Sequence, residues 1–176
     1  MKKFILILFV MVLIPIKVFA LIEVDITRGN LNPLPLAVSP LSIDDQSRKN
    51  FEKILKKQNI GSEISIIVEN NLRTSGLFNP LSKDAFLQAP DIANLKPRFE
   101  DWNLIKAQAL VTGKVTYVDE KLRVEFRLWD VLAAKEMMAL AFTTVPNNWR
   151  RVGHIISDKV YERLTGEKGY FDTRII

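Results

Sequence analysis

The chain has 176 residues, a length typical of one domain with appendages, and 48% of them are hydrophobic, which excludes disorder over most of it. It contains no cysteine, which excludes both a disulfide framework and an acylated N-terminal cysteine. The net charge of +5 includes three lysines in the first 17 residues. The remaining basic pairs are short and far apart, unlike the basic stripe of a nucleic-acid-binding protein.

Residues 1–20 have the pattern of a secretory signal peptide. Residues 1–3 are basic, residues 4–16 form an apolar run, and small residues stand at Val18 and Ala20, where a signal peptidase recognises its substrate. A membrane anchor is the alternative, but the run is shorter than the roughly 20 residues that cross a bilayer. The sequence therefore predicts export, with a mature protein that begins near Leu21 and is not inserted in a membrane.

The mature sequence begins with a segment that predicts a strand. Apolar and polar side chains alternate along it, in the order Ile22, Glu23, Val24, Asp25, Ile26, Thr27, Arg28. Residues 34–41 also favour a strand. Pro35 and Pro40 lack the N–H that a sheet requires, which suits a strand end or an edge.

Residues 42–107 predict three helices and several short pieces. Residues 42–59 are strongly charged, and Phe51 stands at helical spacing from Ile54 and Leu55. They predict a segment on the protein surface that contains a short helix. Ser62 can cap a longer helix with an apolar stripe, and Gly76 follows its last turn. Residues 77–88 contain strand-like fragments, residues 89–97 are predicted to be a loop because of their prolines, and residues 101–107 predict a brief helix.

Residues 109–144 carry the clearest pattern, that of an antiparallel meander. Apolar residues fill every second position from Leu122 to Leu128, as in a strand with one buried face. Residues 109–118 predict the preceding strand, and the Asp119-Glu120 pair has the length of a tight hairpin turn. Residues 135–144 predict a third strand, with a weaker signal because methionine and alanine are poor strand formers.

The segment after Pro146 predicts an amphipathic helix that covers this sheet. Its apolar residues recur every fourth position from Val152, Asn147 or Asn148 can cap its start, and Gly166 stands where a helix end requires it. A sheet covered by helices is a two-layer α/β fold. The predicted core residues are Val124, Phe126, Leu128, Val152, Ile156, Val160, Ile64 and Val68.

The sequence offers little catalytic chemistry. Its single histidine, His154, shares a predicted helix face with Ser157 and Asp158, an arrangement that also occurs routinely on exposed helices. Its acidic pairs stand in turns without a third ligand at convergent spacing, so no metal site is predicted, and no cofactor motif is found. A non-enzymatic binding module is the favoured interpretation. The alternative is a secreted hydrolase or ligand-binding domain that uses His154 and nearby acidic residues.

Five stretches resemble, in order and spacing, the amino-terminal domain of the TolB family, the periplasmic component of the Tol-Pal envelope system. They are residues 72–81 (LRTSGLFNPL), 109–115 (ALVTGKV), 126–130 (FRLWD), 149–158 (WRRVGHIISD) and 164–175 (LTGEKGYFDTRI). The resemblance implies an α/β domain at residues 21–168, a two-layer sandwich in which a small mixed sheet is covered on one face by two main helices. Residues 169–176 would be a linker to a β-propeller that is absent from this chain.

The resemblance also implies a function. The family helps outer-membrane invagination during cell division and maintains envelope integrity, without enzymatic activity. Its mature N-terminus binds the C-terminal domain of TolA, which here assigns partner binding to residues 22–28. Its propeller binds the peptidoglycan-associated lipoprotein Pal, so that contact is not expected of this chain. Without propeller strands to pair with, residues 169–175 are expected to be loosely docked, with Phe171 and Ile175 exposed.

Overall fold

The computed structural model describes residues 32–173, in which strands and helices alternate along the chain. In order, the elements are β1 (Leu34–Val38), β2 (Ser42–Ile43), α1 (Asp45–Leu55), α2 (Ile60–Thr74), β3 (Phe78–Pro80), α3 (Pro90–Leu95), α4 (Phe99–Leu104), β4 (Ala109–Val118), β5 (Lys121–Asp130), β6 (Lys135–Thr144) and α5 (Trp149–Thr165). The six strands form one sheet in the order β3-β1-β4-β5-β6, and β2 continues along the same side of β4 as β1.

The sheet is mixed, as the resemblance implies. β1 runs parallel to both of its neighbours, β3 and β4, whereas β4, β5 and β6 form the predicted antiparallel meander. Asp119 and Glu120 make the two-residue turn between β4 and β5, with φ angles of 50° and 58°. Two consecutive positive φ angles match the right-handed twist of the flanking strands. The meander and the α/β fold class are therefore confirmed.

Pro35 stands near the start of β1, a strand-end position of the kind expected for it, although β1 is not an edge strand. β1 is paired on both sides, with Pro35 opposite Asn79 of β3. The carbonyl oxygen of Pro35 accepts a hydrogen bond from the Gln108 N–H at 2.9 Å, just before β4 begins. The proline is tolerated in a central strand because it stands near the start of that strand, where the ladder with β4 is only beginning.

The main core lies between the sheet and helices α1, α2 and α5. All eight predicted core residues are at most 1% exposed except Val152, which is 2% exposed, and this prediction is confirmed. Helices α2 and α5 pack closely at Gly153, where a Cβ atom would come within 2.9 Å of the Ile67 Cγ2.

Gly166 ends α5 with a φ of 76°, as predicted. Asn148 occupies the capping position at the start of α5, as predicted, but its side chain donates a hydrogen bond to the Thr144 hydroxyl and makes none to the helix.

Residues 42–59 are not only a surface segment, because they contribute a strand to the sheet and a side chain to the core. They supply β2 and the 11-residue helix α1. Asp44 caps this helix by accepting a hydrogen bond from the Ser47 N–H at 2.8 Å. Phe51 is fully buried and meets Tyr117 of β4 edge to face, with ring centroids 5.5 Å apart. One face of this charged helix is therefore part of the main core.

Two further boundaries differ from the sequence predictions. Helix α2 begins at Ile60, with Asn59 rather than Ser62 in the capping position. Residues 90–95, predicted to be loop, form helix α3 with Pro90 in its first turn, where a missing N–H is not costly. The brief helix predicted near residue 101 is confirmed as α4.

The opposite face of the sheet carries a second, smaller apolar cluster that the sequence did not predict. Its buried members are Ala37, Ala93, Trp102, Ala107, Leu110 and Val131. The side chain of Gln88 fastens this layer, because its Oε1 accepts hydrogen bonds from the Trp102 Nε1 at 2.8 Å and the Arg98 N–H at 3.0 Å. The short helices α3 and α4 therefore cover part of the face that the two main helices leave open.

Candidate binding surfaces

The residues predicted to bind a partner, Ile22 to Arg28, lie outside the described residues. The described chain starts just before β1, a strand that already has a neighbour on each side. The described strands are paired with one another without any residue that precedes residue 32.

The two edges of the sheet differ greatly. At one edge β3 has only three residues and ends in Pro80. At the other edge β6 has ten residues, and the eight from Met137 to Thr144 carry no charge. Leu140 in this stretch is 38% exposed. A long, uncharged edge strand is a template for pairing with another segment.

A groove of about 330 Å³ lies between β6 and α5. It is lined by Ala141, Phe142, Thr143, Thr144, Asn148, Arg151, Val152 and Ile155. Arg151 also binds Asp172, with its Nε 3.0 Å from Oδ1 and its Nη2 3.1 Å from Oδ2. Hydrogen bonding to this carboxylate raises the pKa of the Arg151 guanidinium above its ordinary value. The Arg151 guanidinium is therefore charged throughout the ordinary pH range.

The C-terminal part of the described chain is docked on α5. The Asp158 carboxylate accepts hydrogen bonds from the Phe171 N–H at 2.7 Å and from the Asp172 N–H at 3.1 Å. Phe171 is partly buried and lies edge to face against Tyr161. The expectation of a loose attachment with an exposed Phe171 is therefore wrong, because the sequence did not reveal the Asp158 anchor. Ile175 lies outside the described residues.

His154 does not form the proton-transfer group of the alternative hypothesis. Its Nδ1 lies 2.9 Å from the Asn71 Nδ2 of α2, and the same amide donates to the Ser157 hydroxyl at 2.9 Å. Ser157 in turn donates to the Gly153 carbonyl. Asp158 binds the backbone of the C-terminal segment instead. His154 and Ser157 therefore share the Asn71 amide as a partner, whereas Asp158 binds a different part of the chain.

A second cleft, of about 360 Å³, lies between the start of α2 and helix α3. Arg48, Asn59, Ser62 and Asp91 contribute its polar lining. The Arg48 Nη1 is 3.4 Å from the Asn59 Oδ1, and its Nε is 4.0 Å from the Asp45 carboxylate. The lining of the cleft therefore includes one basic side chain, Arg48, and one acidic side chain, Asp91.

Neither a metal centre nor a membrane-spanning helix is found in residues 32–173. No three acidic or histidine side chains of this part of the chain converge as metal ligands would. None of its helices has the length and apolar character needed to cross a bilayer.

Comparison with known proteins gives concordant results. A family profile described as the TolB amino-terminal domain matches residues 22–137. The Tol-Pal system protein TolB of Pelagibacter ubique (strain HTCC1062) is 83% identical over 174 residues, which cover 99% of this chain and 39% of that relative. The crystal structure of TolB from Acinetobacter baumannii has a TM-score of 0.64 at 22% identity, covering 86% of this chain and 33% of that one. The chain thus spans well under half the length of these relatives.

Proposed function

The chain belongs to the TolB family through its amino-terminal domain, and we propose that it acts as a non-enzymatic adaptor of the Tol-Pal system in the periplasm. In this role it helps the outer membrane to invaginate during cell division and maintains envelope integrity. The observation that carries the proposal is the 83% identity to a Tol-Pal system protein along nearly the whole chain. Export by the predicted signal peptide of residues 1–20 supports the location.

The contact proposed for this domain is with the C-terminal domain of TolA, through residues 22–28. Their alternating sequence suits the addition of a strand to an exposed sheet edge, where main-chain hydrogen bonds supply affinity and alternate side chains fill shallow pockets. The family match begins at residue 22 and includes the segment. The pairing of β1 on both sides supports the proposal further, because the segment is not needed to complete the parallel part of the sheet.

The test compares four mature proteins in titrations with the isolated C-terminal domain of TolA. One begins at Leu21, one lacks residues 21–28, and two carry Val24→Pro or Val24→Ile. The deletion should abolish binding. Val24→Pro should weaken it at least tenfold because proline cannot donate a ladder hydrogen bond, whereas Val24→Ile keeps both the N–H and the branched side chain and should bind normally.

Circular dichroism provides the control, since all four proteins should retain the spectrum of the folded domain. Undiminished binding by the deletion protein would show that another surface contacts the partner.

A His154→Ala variant separates the adaptor function from the hydrolase alternative. Because His154 contacts Asn71 in the seam between α2 and α5, its loss should leave TolA binding unchanged. His154→Gln, which keeps a hydrogen-bonding group at this position, is the matched control. Loss of function in His154→Ala with the fold preserved would instead favour a site at the histidine.

A further inference from the structure

The outer edge of β6 is a regular run of uncharged residues. The register between β5 and β6 shifts after Leu128, which leaves Met137 as a bulge without a partner in β5. The Met137 carbonyl oxygen accepts a hydrogen bond from the Arg163 Nε at 3.3 Å. The charged residues 135–136 stand before this bulge. Residues 138–144 follow it, and no strand of the described chain pairs with their outer side.

The side chains of this run alternate between the two faces of the sheet. Leu140 and Phe142 lie opposite the buried Phe126 and Val124 of β5, so they stand on the side of the main core. Leu140 is nonetheless 38% exposed, because no strand of the described chain lies beyond β6. The other face of the run carries only small side chains, those of Ala139, Ala141 and Thr143. The edge therefore offers one apolar row and one row of small residues.

This run is complementary to itself. When two copies of it pair antiparallel about a two-fold axis at Ala141, residues at equal distances from the axis lie opposite one another. Leu140 then faces Phe142 of the second copy on the core side, and Ala139 faces Thr143 on the other side. An aliphatic residue opposite an aromatic one is a favourable cross-strand pair, and no charge faces another. An axis one residue earlier would bring the bulge into the ladder.

We propose that the chain forms a symmetric dimer through antiparallel pairing of β6 with β6 of a second copy. The two sheets join into one, and Leu140 of each copy covers Phe142 of the other. Phe142 lines the groove between β6 and α5, so the second copy also closes the outer side of this groove. The edge supplies roughly six ladder hydrogen bonds. Because a single strand edge is a small interface, the dimer is weak and depends on protein concentration.

The chain has no cysteine, so disulfide cross-linking can test this register. Ala141→Cys places the two cysteines directly opposite one another, with Cα atoms about 4.5 to 5.5 Å apart, a distance that a disulfide can span. Mild oxidation should therefore produce a covalent dimer. Ala139→Cys is the matched control on the same face, because its two cysteines lie four residues out of register, about 14 Å apart, and should stay reduced. Equal cross-linking of both variants, or none in either, would overturn the proposal.

Sedimentation equilibrium measures the association without a covalent bond. The mature chain should be monomeric when dilute and dimeric at high concentration. Ala141→Lys and Ala141→Glu should each raise the dissociation constant at least about tenfold, because two like charges then lie opposite one another at the axis. An equimolar mixture of the two variants should regain the dimer, since opposite charges then face each other. Circular dichroism checks that both variants keep the fold of the parent chain.

Two outcomes of this measurement would refute the dimer. One is a monomer at every concentration, and the other is a dimer that neither charge weakens, which would place the contact on another surface. Titration with the isolated C-terminal domain of TolA identifies a different occupant of the edge. If the chain stayed monomeric and Ala141→Lys weakened TolA binding, the edge of β6 would belong to that partner and not to a second copy.

Discussion

Truncation of Phe126 tests the central packing of the fold. The ring is 1% exposed, stacks on Phe142 at an interplanar angle of 13°, and lies opposite Gly113 in β4 and Leu140 in β6. Replacement of a buried phenylalanine by alanine typically costs about 3 to 5 kcal/mol, and the cost rises with the volume left empty. Gly113 has no side chain that could move into the space. We therefore expect Phe126→Ala to fall in the upper part of this range.

The loss is large relative to the whole stability of such a domain, which is about 5 to 15 kcal/mol. It corresponds to a decrease in melting temperature of roughly 6 to 20 °C for a chain of this size. Urea unfolding followed by circular dichroism measures the change in free energy, provided that the dependence on urea concentration is the same in both proteins.

Leu140→Ala is the matched control, since Leu140 faces Phe126 across the β5–β6 pair but is 38% exposed. It should cost about 1 kcal/mol or less, because a half-exposed side chain loses less apolar burial. If Phe126→Ala destabilised the domain by no more than Leu140→Ala, the meander face would not be the core that the structure describes.

Two other predictions concern helix starts. The hydrogen bond from the Ser47 N–H lowers the pKa of Asp44, so the stability that Asp44 adds is present above its unfolded pKa near 3.9 and is lost as the pH falls through the lower folded value. Asp44→Ala should therefore cost about 1 kcal/mol in urea unfolding at pH 7 and much less at pH 2; equal costs would refute this. Gly61→Ala should destabilise the domain by more than about 2 kcal/mol because its Cβ would overlap the Leu41 carbonyl oxygen, whereas Ser62→Ala should change stability by less than about 0.5 kcal/mol.

The sequence predicts best the elements whose burial is periodic along the chain. β5 alternates buried and partly exposed residues over its length, and α5 buries one face, so simple periods identified both. The sequence did not predict that helix α1 packs on the core, because the helix buries only Phe51 and Ser47 and its other residues are mostly charged or polar. One aromatic ring in a polar helix is too weak a periodic signal to show that the helix belongs to the core.

The polar contacts between distant segments could not be predicted from the sequence. The Asp158 carboxylate holds residues 171 and 172 across 13 and 14 positions of the chain, and no local pattern indicates such a partner. For the same reason the sequence did not reveal the groove between β6 and α5. The assignment of residues 22–28 as the partner-binding segment rests on their alternation and on the family resemblance, and it stays a prediction.

The spacing of His154 and Ser157, which suggested a catalytic face on α5, is explained by the contact between α5 and α2. The Asn71 amide nitrogen has two hydrogens, and its two near neighbours are the Ser157 hydroxyl oxygen and the His154 Nδ1, each at 2.9 Å. The amide can therefore hold both side chains at once, because it has one hydrogen for each of them. The Ser157 hydroxyl donates its hydrogen to the Gly153 carbonyl oxygen in the helix backbone, not to His154. One amide on α2 thus fixes residues three apart on α5, which sets the register of the two helices at the point where Gly153 lets them approach.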